Sequence, residues 1–373
     1  MDLSVIPTPR VFVDLPRLRK NITTMAAHAA AVGVKLRPHA KTHKNISIAR
    51  MQIAAGAIGI CCAKLGEAEV FADAGIKDIR LPYPVNPVNA SRVLALMEKT
   101  HLSIIVDDLE VARGWSDAMI AARRKLDVLV KVDVGFHRCG IDAQSPRAME
   151  MLRAVADLSG LNFRGLLSHA GHSYLTKSVD ELEEVAQVEC AILTRIAKDL
   201  RAASIDVQEI SVGSTPTARF AGKQPGITEM RPGNYVFFDR TQVGLDAAKL
   251  EDCALGVVST VVSRPVKHRV IFDAGSKTLT NDGLRGFSMV AGHGLVYPSL
   301  EHDRPDPSIV IERLSEEHAT ARVTDACTLK PGDRVRIIPN HSCVVANMTD
   351  EILGVDGLAV VERLTVDARG KIW

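Results

Sequence analysis

The sequence of 373 residues has little excess charge and few aromatic side chains. Its 46 Lys and Arg residues against 44 Asp and Glu residues give a net charge of +2, and Phe, Trp and Tyr make up 4%. Proteins that bind nucleic acid or anionic lipid usually carry a strongly basic surface, and single-strand binders need aromatic platforms for the bases. The composition therefore argues against nucleic acid and membrane as partners.

Long apolar runs are also lacking. The longest, residues 53–63, ends at Lys64 and is shorter than the ~20 residues of a membrane-spanning helix. Residues 1–15 include the early acid Asp2 and no basic region followed by an apolar core, unlike a signal peptide. The seven cysteines form no CxxC pair, so we expect reduced thiols in a cytoplasmic protein.

Short β-rich runs alternate with amphipathic helical stretches from about residue 8 to residue 245. The β-rich runs are 11–13, 34–37, 58–62, 78–81, 102–106, 128–134, 163–167 and 209–212. Such alternation predicts parallel strands joined by helices, and about eight units close a barrel. We therefore predict a (β/α)8 TIM barrel over residues 8–248.

The sequence pattern changes after residue 250. Runs 254–263, 269–273, 309–313, 319–323, 333–338 and 358–366 are β-rich and show little helical periodicity. At ~150 residues per domain the chain is long enough for a second domain. We predict an α/β protein in which the barrel is followed by a mostly β domain of residues 249–373, together with residues 1–7.

Reactive residues follow several of the predicted barrel strands, where barrel enzymes carry their chemistry. RPHAKTHK, residues 37–44, follows the second run. It is either a solvated basic turn or the place of a Schiff-base lysine, Lys41, because neighbouring cations favour the neutral, nucleophilic amine. HAGHSY, residues 169–174, follows the seventh run and could orient a cofactor ring or move protons.

Two turn-forming loops come near the end of the predicted barrel. SVGSTPT spans residues 211–217, and RPGNY spans residues 231–235. Each could be only a turn, but in such barrels backbone N–H groups at this place often hold a phosphate. Arg138, in VDVGFHRCG, could face a cofactor or form a structural salt bridge.

The β domain contains Asn340-His341-Ser342-Cys343. In an extended strand His341 and Cys343 would point to one face. An imidazole and a thiolate favour zinc, although water or substrate would have to complete the coordination shell. A structural role for both residues stays open at this point.

These motifs together resemble those of the fold-type III pyridoxal-phosphate enzymes, specifically the D-serine dehydratase and D-threonine aldolase group of the alanine-racemase-like superfamily. The resemblance extends through GICCAKLGEAE, VFFD, IFDAG and PNHSC to the final ARGKIW. It implies a barrel that carries pyridoxal 5'-phosphate, a C-terminal β domain, a small D-amino acid as substrate, and a homodimer.

The resemblance assigns roles residue by residue. Lys41 matches the Schiff-base lysine, and His341 with Cys343 match the divalent-metal site. The residues that match cofactor contacts are Arg138, His169, Tyr174, Gly213, Ser214, Thr215, Gly233, Asn234 and Tyr235. Zinc is favoured as the metal, with manganese and magnesium as alternatives.

The motifs divide between two activities. RPHAKTHK and GICCAK resemble D-threonine aldolases, whereas HAGxSY and NHxC resemble dehydratases of D-serine and D-threo-3-hydroxyaspartate. Aldolases of this group tend to carry His-x-Asp with a hard metal ion, and dehydratases His-x-Cys with zinc. Cys343 therefore favours dehydration to a 2-oxo acid and ammonia, with Lys41 taking the Cα proton.

Three alternatives remain open. In retro-aldol cleavage to glycine and an aldehyde, His169 is the candidate base for the hydroxyl proton. A racemase would need a second base, and Tyr297 is the only tyrosine after residue 250. A non-catalytic pyridoxal-phosphate protein would need no second domain. The substrate side chain and a part for His318 at the site stay undetermined.

Overall fold

The computed structural model describes residues 2–287 and 291–373. In chain order, its strands are β1 (Arg10–Asp14), β2 (Lys35–Leu36), β3 (Ile60–Cys61), β4 (Asp78–Pro84), β5 (His101–Val106), β6 (Leu126–Asp133), β7 (Ile141–Asp142), β8 (Leu161–Leu167), β9 (Glu209–Val212), β10 (Glu229–Met230), β11 (Leu255–Val266), β12 (Arg269–Phe272), β13 (Leu295–Tyr297), β14 (Ile309–Leu314), β15 (Ala319–Val323), β16 (Arg334–Ile338), β17 (Glu351–Asp356) and β18 (Ala359–Thr365).

The helices are α1 (Leu15–Ala31), α2 (Ile46–Ala54), α3 (Leu65–Asp73), α4 (Ala90–Met97), α5 (Leu109–Ala121), α6 (Ala148–Ala156), α7 (Val179–Ala202), α8 (Ala218–Ala221), α9 (Arg240–Gly244), α10 (Ser276–Leu279) and α11 (Ser342–Asn347). Short 3₁₀ turns lie at Ala40–Thr42, Pro87–Asn89, Gly171–Leu175, Asn234–Val236 and Leu250–Asp252. Within the described ranges, no helix combines the length and the apolar character that crossing a membrane requires.

Eight parallel strands of the described chain form one curled sheet in the order β2-β10-β9-β8-β6-β5-β4-β3, and the short β7 pairs with β6 beside it. The two edges of this sheet meet. His39, just after β2, pairs in parallel with Cys61 of β3, and the Ile58 N–H donates to the Leu36 carbonyl at 3.0 Å. The predicted (β/α)8 barrel is thereby confirmed.

Helix α7 shows how an amphipathic sequence covers this barrel. Ser178 caps its N-terminus by accepting a hydrogen bond from the Glu181 N–H at 3.1 Å. Its buried side chains recur every three or four residues, which is the spacing of one helix face. They are Leu182, Ala186, Glu189, Cys190, Leu193, Ile196, Ala197 and Leu200. Glu189 is thus a carboxylate on an otherwise uncharged buried face.

A second sheet has the order β14-β15-β12-β11-β1-β17-β18, and β16 pairs with β11 and β13. Its pairs are antiparallel except for β1 with β17. Phe12, Val258 and Leu353 are buried together in one of its apolar clusters. The predicted mostly β part is therefore confirmed.

One strand assignment from the sequence was wrong. The first β-rich run, 11–13, is β1 of the second sheet, where it pairs with β11 and β17. The missing barrel strand is β10, Glu229–Met230, between β9 and β2. A strand of two residues is too short to show alternation, so the sequence pattern could not reveal it.

Two compact units divide the described residues. One comprises Met1–Thr23, Thr42–Ser47 and Asn234–Arg369, without the residues that are not described, and the other comprises Thr24–Lys41, Ile48–Gly233 and Gly370–Trp373. We call them the β unit and the barrel unit. The domain boundaries expected from the sequence, 8–248 and 249–373 with 1–7, stay a prediction, since a compact unit is not in itself an independently folding domain.

Charged side chains fill part of the barrel interior. Glu229 on β10 accepts a hydrogen bond from Arg37 Nε at 2.8 Å and another from Arg80 on β4. Because β4 and β10 are not neighbours in the sheet, their side chains meet across the inside of the barrel. Burial raises the pKa of Glu229, but the charges of Arg80, Arg37 and Arg231 outweigh it and lower that pKa to about 2.

We expect Glu229→Gln to lower the free energy of unfolding by about 3 kcal/mol, because it leaves buried guanidinium groups without their counter-charge. The folded pKa lies below the ordinary 4.5, so the stabilisation is present above pH 4.5 and is lost as the pH falls toward 2. Urea unfolding at neutral and at acidic pH measures both effects. Asp73→Asn, which breaks the exposed pair with Lys99, is the control and should cost less than about 1 kcal/mol.

Candidate active site

Lys41 follows β2 at the carboxyl end of the barrel strands, in the 3₁₀ turn Ala40–Thr42. The Lys41 N–H donates to Nδ1 of His39 at 3.4 Å, and His39 is held by its pairing with β3. The Lys41 side chain is exposed, whereas Ala40 before it is buried. The fold therefore gives Lys41 an ordered backbone and an accessible amine at the end where barrel enzymes carry their chemistry.

His169 follows β8 at the same end of the barrel. Its Nδ1 lies 2.7 Å from the Gly213 carbonyl oxygen, and a carbonyl only accepts, so Nδ1 carries the proton and Nε2 keeps its lone pair. Burial and the charges of Lys41, Lys131 and Arg138 hold the pKa of His169 well below its usual 6.5. His169 is consequently a neutral imidazole among cations.

The cations around His169 include a buried lysine. Lys131, on β6, is buried, and this burial and the charge of Arg231 lower its pKa to about 7. Arg231 is buried too and donates to the Ser211 hydroxyl and the Ser168 carbonyl. Arg138 is exposed and lies 5.1 Å over the ring of Phe136. This end of the barrel therefore suits an anionic ligand such as a phosphate or a carboxylate.

The loop after β9 carries Gly213, Ser214 and Thr215. Gly213 has φ +149°, and a Cβ there would lie 2.8 Å from the Arg231 nitrogen, so only glycine fits. The Ser214 hydroxyl is 2.8 Å from that of Thr217 and 3.2 Å from that of Ser173. The hydroxyls and N–H groups of this loop are the donors that a phosphate requires. The loop therefore fits the phosphate of the expected cofactor.

Glu189 of helix α7 contacts the loops that follow β8 and β9. Its carboxylate accepts a hydrogen bond from the Ser168 hydroxyl at 2.6 Å, and the Gly213 N–H and the charges of Arg231 and Lys131 also act on it. Burial nevertheless raises the pKa of Glu189. This carboxylate therefore links helix α7 to Ser168, the residue before His169, and to Gly213.

Four expected cofactor contacts remain, and they are Tyr174, Gly233, Asn234 and Tyr235. Tyr174, in the turn Gly171–Leu175, is half-buried in the barrel unit, and Gly233 is the last residue of that unit before the chain enters the β unit. Asn234 and Tyr235 belong to the β unit, and both are buried. The side-chain amide of Asn234 is directed to Asp239, Ser342 and Cys343.

His341 and Cys343 lie together in the β unit, but not on a strand. His341 is the extended residue before α11, with φ −142° and ψ 97°, and Cys343 is in the first turn of that helix. The expectation that strand alternation brings the two side chains to one face was therefore wrong, because the strand β16 ends at Ile338 and a helix begins at Ser342. Their side chains nevertheless lie near enough for each to shift the pKa of the other.

Polar side chains of the β unit surround this pair. Asp282 Oδ2 is 2.6 Å from His341 Nδ1. Thr42 Oγ1 is 3.3 Å from Cys343 Sγ, and Asn234 Nδ2 is 3.5 Å from the same sulfur. The carboxylate on Nδ1 leaves Nε2 as the nitrogen that can bind a metal, which is the usual arrangement of a metal-binding histidine.

The two side chains shift each other's pKa toward the charged forms. Burial lowers the pKa of His341, but Cys343, Asp239 and Asp282 outweigh burial and raise that pKa to about 10. Burial raises the pKa of Cys343, and the hydrogen bond and charge of His341 outweigh it, so the pKa of the thiol is lowered. An imidazole and a thiolate are a donor set that zinc prefers.

These two residues fit a metal as partial ligands. Within residues 2–287 and 291–373, no three His, Cys, Asp or Glu side chains lie together so that they could hold a metal ion. Both Asp239 oxygens already accept hydrogen bonds, from Asn234, Ser342 and Gln242. Water or substrate would therefore have to complete the shell of a metal held by His341 and Cys343. His318 lies exposed in the turn between β14 and β15.

Several residues near these groups were missed in the sequence. Lys131 had a visible signal, since a single lysine within the apolar run VLVKVDV is a buried charge. Asp239 precedes α9 and caps it by accepting from the Gln242 N–H, a recognisable local pattern. Its bond to Ser342, 103 residues away, leaves no local signal, and the same holds for Asp282 with His341.

Known proteins are similar to this chain in sequence and in fold. The family profile for the alanine racemase N-terminal domain matches residues 13–241, and that for a serine dehydratase domain matches residues 254–355. The chain belongs to the D-serine dehydratase and D-threonine aldolase family. The family depends on pyridoxal phosphate, and the relatives are metal-dependent lyases, so the predicted family and enzyme class are confirmed.

The similar proteins include dehydratases and aldolases. D-threo-3-hydroxyaspartate dehydratase of Delftia sp. (strain HT23) is 35% identical over 91% of this chain and 92% of its own. D-threonine aldolase of Arthrobacter sp is 32% identical over 99% and 94%. A solved cysteine-to-alanine variant of D-threo-3-hydroxyaspartate dehydratase, in the metal-free form, has a TM-score of 0.92 at 32% identity and covers 100% of both chains.

Proposed function

We propose that this chain is a pyridoxal-phosphate- and zinc-dependent lyase that dehydrates a D-3-hydroxy amino acid to a 2-oxo acid and ammonia. The observation that carries the proposal is the presence of His341 and Cys343 at the start of α11, with His341 Nδ1 held by Asp282 and the Cys343 sulfur 3.3 Å from Thr42 Oγ1, because a thiolate selects a soft Lewis acid such as zinc over Mn²⁺ or Mg²⁺. The similarity to D-threo-3-hydroxyaspartate dehydratase over nine-tenths of both chains supports it.

The residues that match the family's cofactor contacts would hold the cofactor. Lys41 would bind its aldehyde, the groups that would hold the phosphate are Gly213, Ser214, Thr215, Gly233, Asn234 and Tyr235, and those that would line the cofactor are Arg138, His169 and Tyr174. When bound, pyridoxal phosphate takes up the electron pair that is released at the substrate Cα. The cationic surroundings of His169 support this assignment, because cofactor phosphate and substrate carboxylate are both anions.

Lys41 and His169 are the two candidates for proton transfer, and their surroundings favour Lys41. The accessible amine of Lys41, once substrate has replaced it on the cofactor, would remove the Cα proton. His169 is a weak base at neutral pH, since its pKa is held well below 6.5 and a general base works best with a pKa near the working pH. This disfavours aldol cleavage, for which His169 is the candidate acceptor of the hydroxyl proton.

His341 and Cys343 would hold the zinc ion, which when bound polarises an oxygen of the substrate. Asp282 would keep His341 in the tautomer that offers Nε2. The thiolate is held by Thr42 and Asn234, each within hydrogen-bonding reach of the sulfur. After loss of water, the released enamine hydrolyses to the 2-oxo acid and ammonia. D-serine, D-threonine and a 3-hydroxy-D-aspartate all meet these requirements.

Aldol cleavage is the second candidate, because D-threonine aldolase of Arthrobacter sp is also 32% identical over nearly the whole chain. The racemase alternative loses its candidate base. Tyr297 is 2% exposed, and Arg336 lies 4.1 Å over its ring. Burial raises the pKa of Tyr297, so it is neither accessible nor ready to accept a proton.

Product analysis tests the proposal. We expect the enzyme loaded with pyridoxal phosphate and zinc to convert D-threonine to 2-oxobutyrate and ammonia, and D-serine to pyruvate and ammonia. The L-enantiomers are the matched controls and should not react. Accumulation of glycine and acetaldehyde from D-threonine, without ammonia, would show the aldolase reaction instead.

Assembly as a homodimer and a cytoplasmic location belong to the same proposal. The resemblance supports the dimer. All seven cysteines lie in the described residues and are free thiols, as a reducing compartment would leave them. Light scattering of the purified protein measures the mass of the assembly, and a monomer at micromolar concentration would contradict the dimer.

A further inference from the structure

Asn234 takes part in two sets of contacts within the β unit. Its main chain belongs to the 3₁₀ turn Asn234–Val236, which we assign to the cofactor phosphate. Its side chain is 5% exposed, and Nδ2 lies 2.6 Å from Asp239 Oδ2, 3.1 Å from Ser342 Oγ and 3.5 Å from Cys343 Sγ. The same residue therefore connects the expected phosphate turn to the expected metal ligand, 109 positions later in the chain.

Asp239 determines the orientation of this amide. A carboxylate only accepts hydrogen bonds, so Nδ2, and not Oδ1, must face Asp239. Asp239 Oδ2 also accepts from the Ser342 N–H at 2.9 Å and from the Ser342 hydroxyl at 3.1 Å. Asp239 and Ser342 are both fully buried, and a buried network of this kind is ordered as one unit because an unmade bond would leave a polar group without water.

We propose that Asn234 couples the two cofactors, so that bound pyridoxal phosphate strengthens metal binding at His341 and Cys343, and the bound metal strengthens cofactor binding by the same factor. The inference rests on the proposed function. A phosphate at the main chain of Asn234 fixes this residue, and a metal on Cys343 fixes the other end of the network. The second ligand to bind then finds the shared side chains already ordered, which is positive cooperativity without a large structural change.

The size of the effect is limited by what is shared. One amide, one carboxylate and one hydroxyl have to be ordered, and measured coupling between two ligands usually lies between about 5-fold and 150-fold. We expect a factor of about 10 at the lower end of this range. Because coupling of equilibrium affinities is reciprocal, the factor must be equal for both ligands.

The experiment measures the affinity of the full-length enzyme for Zn²⁺ by competition with a chromophoric chelator at one fixed pH. Cofactor and metal are first removed, and the titration is repeated with no cofactor, with pyridoxal phosphate and with pyridoxal, which lacks the phosphate. We expect pyridoxal phosphate to tighten Zn²⁺ binding about 10-fold and pyridoxal to leave it unchanged. The affinity for pyridoxal phosphate, with and without Zn²⁺, supplies the reciprocal factor.

Asn234→Ala should reduce the coupling factor to one while each ligand still binds alone. Asn21→Ala is the matched control, since Asn21 is 4% exposed and its amide donates to the Val236 and Asp252 carbonyls, not to the metal ligands. It disturbs the neighbourhood of the phosphate turn but should keep the factor. Circular dichroism and thermal unfolding establish that both variants are folded.

Three results overturn the coupling: a factor of one in the unmodified enzyme, an unchanged factor in Asn234→Ala, or an equal effect of pyridoxal. The first and third need no variant, so they apply even if Asn234→Ala does not fold. If pyridoxal phosphate and Zn²⁺ both bind and the factor is one, only the coupling is wrong. If pyridoxal phosphate does not become attached to Lys41, the proposed function and the coupling are both wrong.

Discussion

Lys41→Ala is expected to lower kcat/KM for the D-amino acid substrate at least about 10³-fold, because the change removes both the proposed attachment point of the cofactor and the proposed base for the Cα proton. A positioned base alone contributes about 10²–10⁴-fold. The variant should also lose the linkage to pyridoxal phosphate that borohydride makes permanent. Absorbance spectra and peptide mapping by mass spectrometry, before and after borohydride treatment, measure this loss.

Lys131 makes the mapping decisive. It is buried, its pKa is lowered to about 7, and its charge acts on the same His169 as that of Lys41. A lysine that is neutral near pH 7 is a competent nucleophile, so the chemistry alone does not exclude it. Its position on the strand β6, rather than on the accessible turn after β2, favours Lys41. Label on Lys131, or full turnover by Lys41→Ala, would contradict the cofactor assignment.

Lys35→Ala is the control for this change. Lys35 is on β2, six residues before Lys41, and its side chain is exposed. Removing it takes away one positive charge from the strand that precedes Lys41 and leaves the turn Ala40–Thr42 unchanged. We expect kcat/KM to be unchanged in this variant and the borohydride label to stay on Lys41.

Local sequence patterns predicted much of this fold because they report local structure. The runs before Lys41, His169 and Gly213 are β2, β8 and β9, and each reactive residue follows its strand as expected. The run 11–13 shows the limit of this method. A strand of either sheet has the same apolar alternation, and only its partners, β11 and β17, reveal to which sheet it belongs.

The prediction of the candidate metal site was limited in the same way, because local patterns do not show tertiary partners. The spacing of His341 and Cys343 was correct evidence for proximity, but for the wrong reason, since the pair spans a helix start rather than a strand. The residues that hold the pair come from distant parts of the chain. Thr42 and Asn234 reach Cys343, and Asp282 reaches His341, only through the tertiary fold. No local pattern carries that information.

Cys343→Ala is expected to weaken Zn²⁺ binding at least about 100-fold, because loss of the proposed direct ligand should exceed the 10–100-fold that loss of an outer hydrogen-bond partner typically costs. Dehydration of D-threonine or D-serine should fall at least as far, since the remaining His341 is a single protein ligand. Metal content by mass spectrometry and chelator competition measure the first effect, and ammonia release measures the second.

Cys327→Ala is the control, because Cys327 is a buried free thiol of the same β unit. Within the described residues it forms no hydrogen bond with His341 or Asp239. It should keep both metal and activity. A Cys343→Ala enzyme that retains its metal and its turnover would remove these residues from the metal site. The hydrogen bonds that Asp282 accepts from His341 Nδ1 and that Asp239 accepts from Asn234 do not involve the sulfur. The segment from His341 to Cys343 should therefore keep its conformation in the variant.

Cys343→Asp then separates the two candidate reactions. It keeps an anionic ligand beside His341 but replaces a soft sulfur by hard oxygens, so Zn²⁺ affinity should fall relative to Mn²⁺ affinity. If Cys343 sets the outcome, this variant with Mn²⁺ should release less ammonia from D-threonine and more glycine and acetaldehyde than the parent enzyme with Zn²⁺. An unchanged ratio of products at a changed metal preference would show that the choice of bond depends on the residues around the cofactor, His169 first among them, and not on the metal ligand.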